Sequence, residues 1–327
     1  MLYTIDPRGS YPVMIHRNRT LPAIVLVLFS ACSIAAAASD AEQRYEVAGG
    51  VVGTLSSVGS DTLATLMSLW GEQFKRFYPG VNVQIQTAGS GTAAPALTEG
   101  TATLGPMSRP MKPGEVAAFQ QRYGYPPTRV PVAVDALSLF VHRDNPIRSI
   151  DLAALDAIFS STRRCGASAA ITTWGQLGLS GSWQDRKITL FGRNSASGTY
   201  GFFKATALCG GDFRDSVNEQ LGSASIVHAV SLSLGALGYS GSGFRTANVK
   251  QVPLLNSAEQ GIRQSYPLAR DLYIYVNKPP DAPLRPVERE FLKFVLSSDG
   301  QGIAARAGYQ RIAADRRGEM IEALGFE

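Results

Sequence analysis

The chain predicts an α/β fold divided into two lobes, and three observations carry that prediction. Runs that alternate as strands are followed, again and again, by apolar runs at helical spacing, the order that builds a largely parallel sheet flanked by helices. Three of the strand-to-helix turns, Val58 to Thr62, Thr87 to Thr92 and Gly192 to Tyr200, are rich in Gly, Ser and Thr, as though they served one place. The length is 327 residues, of which about 289 remain once an N-terminal leader is set aside, the upper end for a single core.

The leader comes first. Arg8, Arg17 and Arg19 precede Leu21 to Ala38, an apolar run broken only by Ser30 and Ser33, and Ala36 to Ala38 supplies a small-residue cleavage site. A signal peptide over 1–38 is expected, hence export to the periplasm. The alternatives are an uncleaved membrane anchor and, at Cys32, a lipid anchor, although Phe29 fits a lipobox poorly. Without the leader the net charge falls from +5 to +3, with 28 basic residues against 25 acidic, so nothing points to nucleic acid or an anionic membrane surface. Cys165 and Cys209 remain, an even number in a compartment that permits disulfides, and a bridge between them is expected; the alternative is two free thiols.

The elements follow in order. Thr54 to Ser57 reads as a strand, and Leu63, Leu66, Met67, Trp70, Phe74 and Phe77 mark the core stripe of a helix from about Asp61 to Pro79-Gly80. Val81 to Gln86 is a strand, Pro95 to Leu97 a short helix, Ala102 to Gly105 a strand, Met111 to Tyr123 a helix and Val130 to Val141 a long strand. Asp144-Asn145-Pro146 reads as the crossover into a second lobe. That lobe would hold helices at Leu152 to Phe159 and Val227 to Leu234, the Trp174 to Leu179 segment, the strand Lys187 to Phe191, the helix Phe202 to Leu208 and a strand ending at Tyr239. Ser240 to Gly243 is the return, followed by a strand at Leu272 to Val276 and a helical region from Phe291 to Leu296. The expected division is 50–145 for the first part of lobe 1, 146–245 for lobe 2 and 246–327 for the rest of lobe 1.

The Gly192 to Tyr200 loop sets Arg193, Ser195, Ser197 and Thr199 beside a helix N-terminus, whose free N–H groups and positive dipole end suit a small oxyanion. On its own, Ser197 could be only an N-cap and Arg193 only a surface cation. Taken with Ser60-Asp61-Thr62 and Gly89-Ser90-Gly91-Thr92, the pattern is one of convergent anion loops.

In the order and spacing of Arg193, Ser197-Gly198-Thr199, Gly89 to Gly91, Ser108-Arg109-Pro110 and Gly235 to Tyr239, the chain resembles the phosphate-binding family of periplasmic solute-binding proteins. These are the capture subunits of phosphate ABC transporters. The resemblance covers roughly Val51 to Arg311 and implies a type 2 periplasmic binding fold with the ligand in the cleft between lobes. It implies inorganic phosphate as ligand, an inner-membrane permease as partner, a monomer, and no cofactor, metal or catalytic residue. The phosphate-binding set it implies is Ser60, Asp61, Thr62, Ser90, Gly91, Ser108, Arg193, Ser197, Gly198 and Thr199. Such proteins usually carry an Asp where this chain has Ser108, a carboxylate that accepts the proton of bound phosphate. Asp61 could replace it or could merely cap the first helix; Arg109 could add a cation or face solvent.

Other classes fare less well. No G-x-S-x-G elbow and no H-E-x-x-H or paired Cys/His metal spacing occurs, which argues against a hydrolase or phosphatase. His142 reads as a solvated strand end and His228 as half-buried packing. A receptor for sulfate or molybdate, or a phosphate sensor, would share the same fold.

Overall fold

The computed structural model describes residues 44–255 and 266–326. The leader at 1–38, with Cys32, lies outside the described residues. β1 (Gly53–Val58) and β2 (Val81–Gln86) pair in parallel around α1 (Ala64–Phe77), which buries Leu66, Met67, Trp70 and Phe74 along the expected stripe. Trp70 Nε1 donates to the Gly300 carbonyl at 2.8 Å, so even this large core residue has its one polar atom paired. Next come α2 (Ala93–Thr98), β3 (Gly105–Met107) and α3 (Pro113–Tyr123). α3 opens on Pro113, whose missing N–H is no loss at a helix start, and stops at Gly124, left-handed at φ 83°.

β4 (Thr128–His142) precedes β5 (Ile150–Asp151), α4 (Leu152–Phe159), β6 (Thr189–Arg193), α5 (Gly198–Ala207), β7 (Asn218–Gln220) and α6 (Ser223–Ser231). β8 (Ala236–Gly241), β9 (Val249–Val252), β10 (Leu254–Leu255), β11 (Ala269–Val276), α7 (Pro286–Leu296), α8 (Ser298–Arg306) and α9 (Ala314–Leu324) complete the chain. The large sheet runs β3-β11-β4-β8-β6-β7, with β9 also on β4. The β1–β2, β5–β10, β6–β7 and β6–β8 pairs are parallel, as the alternation of strand and helix predicts. β4 and β11 run against their neighbours, which adds antiparallel pairs that helix-strand alternation does not announce.

β4 serves two cores. From Thr128 to Ala136 it pairs with β11 and gives Val130, Val132 and Ala133 to a core shared with Trp70, Phe74, Phe291 and Phe294. From Leu137 onward it pairs with β8 and β9 and gives Leu137, Leu139 and Val141 to a core with Phe159, Trp174, Phe203 and Tyr239. The Phe203 and Tyr239 rings stack with centroids 3.8 Å apart. Each such side chain contributes about 1.5–3 kcal/mol by leaving water.

Several boundaries differ from expectation for local reasons. α1 begins at Ala64 rather than Asp61, with Leu63 as an N-cap that makes no side-chain bond, because the Asp61 carboxylate is engaged elsewhere. The Trp174–Leu177 segment is a single 3-10 turn, stopped by Gly178 in the left-handed region at φ 86°. α5 and α6 each begin about four residues before their apolar runs, at Gly198 and Ser223. No helix among the described residues is long and apolar enough to cross a membrane.

Cys165 and Cys209 form a disulfide, with Cα atoms 5.4 Å apart and the two residues 44 positions apart in sequence. It ties the loop after α4 to the end of α5. By the chain-entropy argument a loop of this length is worth up to about 4 kcal/mol. Replacing both cysteines by serine is therefore expected to lower the unfolding free energy by about 2–4 kcal/mol, read from denaturant midpoints. Titration of the denatured, unreduced native protein should find no free thiol at these positions; two reactive thiols would contradict the bridge.

Candidate functional site

The site is built from loops at the carboxyl ends of β1, β2, β3 and β6, where helix starts face one another. After β1, Ser60 N–H donates to the Pro106 carbonyl at 2.8 Å, which turns the chain and projects Asp61 and Thr62 away from the helix. After β2, Gly89 adopts φ 107°, a conformation open to glycine, and its α-carbon lies so close to the Ala196 carbonyl that a Cβ would come within 2.7 Å. The Gly91 amide donates to that same carbonyl at 2.9 Å. Gly91 thus fastens the β2 loop to the β6 loop, a task the sequence did not suggest.

Ser90 and Ser108 meet, Oγ to Oγ at 3.2 Å, and the Ser108 amide donates to Ser90 Oγ at 3.0 Å. Both are fully buried. They press against Gly198, the first residue of α5: a Cβ there would lie 2.4 Å from Ser90 Oγ and 2.5 Å from Ser108 Oγ. Ser197 caps α5, its Oγ accepting from the amides of Thr199 and Tyr200 at 3.1 and 3.4 Å. Thr199 Oγ1 is 3.0 Å from Thr62 Oγ1. Ser195 stands exposed, away from this cluster.

Arg193 ends β6 and is buried, only 2% exposed. Its Nη1 donates to Asp61 Oδ2 at 2.8 Å and to Ser223 Oγ at 2.9 Å, and its Nη2 to the Leu221 carbonyl at 2.9 Å. Nε is buried without a partner. Burial lowers the guanidinium's affinity for its proton and the Asp61 carboxylate pushes it back up, yet an arginine stays charged throughout the working range. Asp61 Oδ2 also accepts from the Ser223 amide and hydroxyl at 3.0 and 2.8 Å, whereas Oδ1 takes only one long bond, 3.3 Å from the Ser223 amide. The helix-cap alternative for Asp61 therefore gives way to a cross-site ion pair.

Arg109 does not join the cluster. Its guanidinium forms a two-pronged pair with Glu115 at 2.8 and 2.7 Å, fixing the start of α3. His142 accepts from the Asp144 amide at 3.2 Å, in keeping with a strand end. His228 is exposed on α6 rather than half-buried.

Sequence reading missed Asp135, Arg270, Ser223 and Tyr309. Asp135 and Arg270 are register partners on β4 and β11, joined at 2.8 Å with both side chains buried. Arg270 Nη2 also donates to Thr199 Oγ1 at 2.9 Å and lies 3.5 Å from Thr62 Oγ1. Tyr309 donates to the Thr62 carbonyl. One signal was available: Asp135 is the lone charge within the apolar run Val130 to Val141, and a buried carboxylate requires a cation. Chemically, the cluster offers hydroxyls, a helix N-terminus and guanidinium N–H groups, all donors to an oxyanion. Among the described residues no group of three or more His, Cys, Asp or Glu could hold a metal.

Comparison with known proteins is consistent with these features. A profile of the PBP superfamily domain matches residues 46–299. The phosphate-binding protein PstS of Pseudomonas aeruginosa is 55% identical over 320 residues, covering 94% of this chain and 99% of that one. Among solved structures, a candidate phosphate ABC transporter substrate-binding protein from Clostridium perfringens with bound phosphate superposes with a TM-score of 0.67 at 24% identity, over 80% of this chain and all of that one. An ABC-type phosphate transport receptor from Vibrio cholerae gives 0.59 at 21% identity, over 79% and 100%. At those identities the two structures speak for the fold.

Proposed function

We propose, since the chain belongs to the PBP superfamily and within it to the family of the phosphate-binding protein PstS, that it captures inorganic phosphate between two lobes and hands it to an ABC permease. It acts as a binding protein rather than an enzyme, in the periplasm and as a monomer. The observation that carries this reading is the convergence of loops distant in sequence on one buried, donor-rich cluster around Arg193 and the start of α5. The phosphate set is Ser60, Asp61, Thr62, Ser90, Gly91, Ser108, Arg193, Ser197, Gly198 and Thr199, with Asp61 and Gly91 also ordering the loops around it. A few charge-assisted hydrogen bonds at about 1.5–3 kcal/mol each suffice for micromolar or tighter binding without a metal.

We infer that the lobe crossings lie in the middle of β4, near Ala136, and at the start of β11, near Leu268, where 145/146 and 245/246 were expected from the turn residues. The reason is that β5, β8, β9 and β10 all pair beyond those points with strands of the second core. The lobes then close on the ligand by bending two adjacent strands.

Asp61 takes over the proton-accepting role that Ser108 cannot fill. Its Oδ2 is saturated by Arg193 and Ser223, which leaves Oδ1 to accept a proton from phosphate and to repel sulfate, which has none to give. Calorimetric titration should show phosphate binding in preference to sulfate, with no product released from a phosphate ester. Asp61→Asn should lower the phosphate-to-sulfate ratio by about tenfold or more. An unchanged ratio would assign discrimination to another residue, and a wild-type protein indifferent to phosphate would end the reading itself.

A further inference from the structure

We propose that Arg270, held by Asp135 where the two crossing strands pair, is a second guanidinium of the anion site and couples cleft closure to the charge of the anion. The inference rests on the phosphate-capture reading and extends it to a residue outside the loops that define the family resemblance.

Three observations lead there. Arg270 is buried, 7% exposed, at a position in β11 opposite Asp135 in β4, just before β4 passes from one core into the other. Its Nη2 reaches Thr199 Oγ1 at 2.9 Å and approaches Thr62 Oγ1 at 3.5 Å, so one planar group touches hydroxyls from loops on opposite sides of the cluster. Its Nη1 is buried without any partner, as is Nε of Arg193, and Asp135 Oδ1 is left in the same state. Orphaned donors of this kind are rare in folded proteins, and one on a guanidinium already bonded to the two threonines of the anion loops marks a place where an acceptor belongs.

Electrostatics gives the same picture. Arg193 and Arg270 repel one another enough for Arg270 to be among the causes that lower the hold of Arg193 on its proton. Asp61 and Asp135 each neutralise one guanidinium, which leaves a buried site of zero net charge with donors to spare. An anion entering it relieves the repulsion between the two cations and fills the empty N–H position of Arg270. Because Thr62 and Thr199 come together only when the loops meet, Arg270 can make its full set of bonds only in the closed form. Asp135 is the positioning residue: it fixes the fork and removes the cost of an isolated buried charge.

The test uses the mature protein with inorganic phosphate as probe. In the double variant Asp135→Asn with Arg270→Gln, both charges go together and no orphaned carboxylate is left in the core. Phosphate affinity by calorimetry is expected to fall about ten- to hundredfold, the value of one charge-assisted hydrogen bond. The melting temperature without phosphate should stay near that of the wild type. Arg270→Lys, which keeps the charge beside Asp135, should recover part of the affinity. An affinity within about twofold of wild type in the double variant, or a lysine variant as weak as the neutral one, would overturn the proposal. Should the double variant fail to fold, the lysine variant alone decides: wild-type affinity there makes Arg270 a strand pin only. Wild-type protein that binds no phosphate would instead sink the capture reading, a result separable from failure of the Arg270 assignment.

Discussion

Replacing Arg193 by lysine is expected to weaken phosphate binding by about a hundred- to ten-thousand-fold in a protein that still folds. The guanidinium sits at the end of β6 with Nη1 on Asp61 and Ser223 and Nη2 on the Leu221 carbonyl, so three bonds in one plane set its direction. A lysine ammonium keeps the charge opposite Asp61 but is a point donor on a flexible stem and cannot serve all three while also facing a ligand. Losing two charge-assisted bonds to an anion is worth about 3–6 kcal/mol, which converts to that range of affinity. Calorimetric titration beside a far-ultraviolet circular dichroism spectrum separates lost binding from lost fold. Equal affinity in the lysine variant would show that Arg193 merely holds the Leu221 turn to Asp61.

Arg193 also illustrates what a sequence discloses and what it withholds. Its position after a strand and before a helix start suggested an anion residue, and Ser197 caps α5, the plainer of the two roles the sequence left open for it. The loops at Ser60, Ser90 and Ser108 were legible by repetition: one turn rich in Gly, Ser and Thr is ordinary turn or cap chemistry, but several after successive strands point to one place. The partners of Arg193 were not legible. Asp61 is 132 residues away in sequence and Ser223 lies 30 residues on, so only the folded chain brings them to one guanidinium. Local pattern assigned Asp61 as a helix cap as readily as a ligand, because a carboxylate before a helical run is the ordinary cap signal. The start of α1 at Ala64 excludes the cap, which nothing in the sequence did.

β4 and β11 show the limit on the fold. Their apolar runs were correctly read as strands, but a strand that serves one core up to Ala136 and another from Leu137 looks like any buried strand. Pro and Gly turns at Asp144 to Pro146 and Ser240 to Gly243 therefore drew the boundary, since turn residues are the punctuation that pattern reading sees. The buried pair of Asp135 and Arg270 sits where β4 changes cores, and the lone charge at Asp135 within an apolar run was the sequence signal for it.

Gly198→Ala is expected to produce a protein at least as stable as the wild type that has lost about a hundredfold or more of its phosphate affinity. Gly198 is the first residue of α5 and lies outside the left-handed region, so alanine fits its backbone, and a helix gains up to about 1 kcal/mol when glycine is exchanged for alanine. The space is what alanine lacks. Its Cβ would meet Ser90 Oγ at 2.4 Å, Ser108 Oγ at 2.5 Å and Ser90 Cβ at 2.9 Å, three atoms from loops on the other side of the site. The two hydroxyls could rotate, but they already bond to one another, and Ser90 Oγ also accepts the Ser108 amide, so moving them breaks bonds that organise both loops. Overpacking of this kind costs about 1–3 kcal/mol, at the upper end here because the Ser90 Cβ cannot rotate away. That cost falls on the closed, ligand-holding form and is absent when the loops are apart. Stability without ligand and affinity for phosphate should therefore move in opposite directions. A differential scanning measurement with and without phosphate reads both at once: the ligand-free melting temperature should hold or rise, and the increment that phosphate adds should shrink to near zero. If the increment stays at its wild-type size, the seryl loops do not close on Gly198 when phosphate binds, and the start of α5 is not the floor of the site.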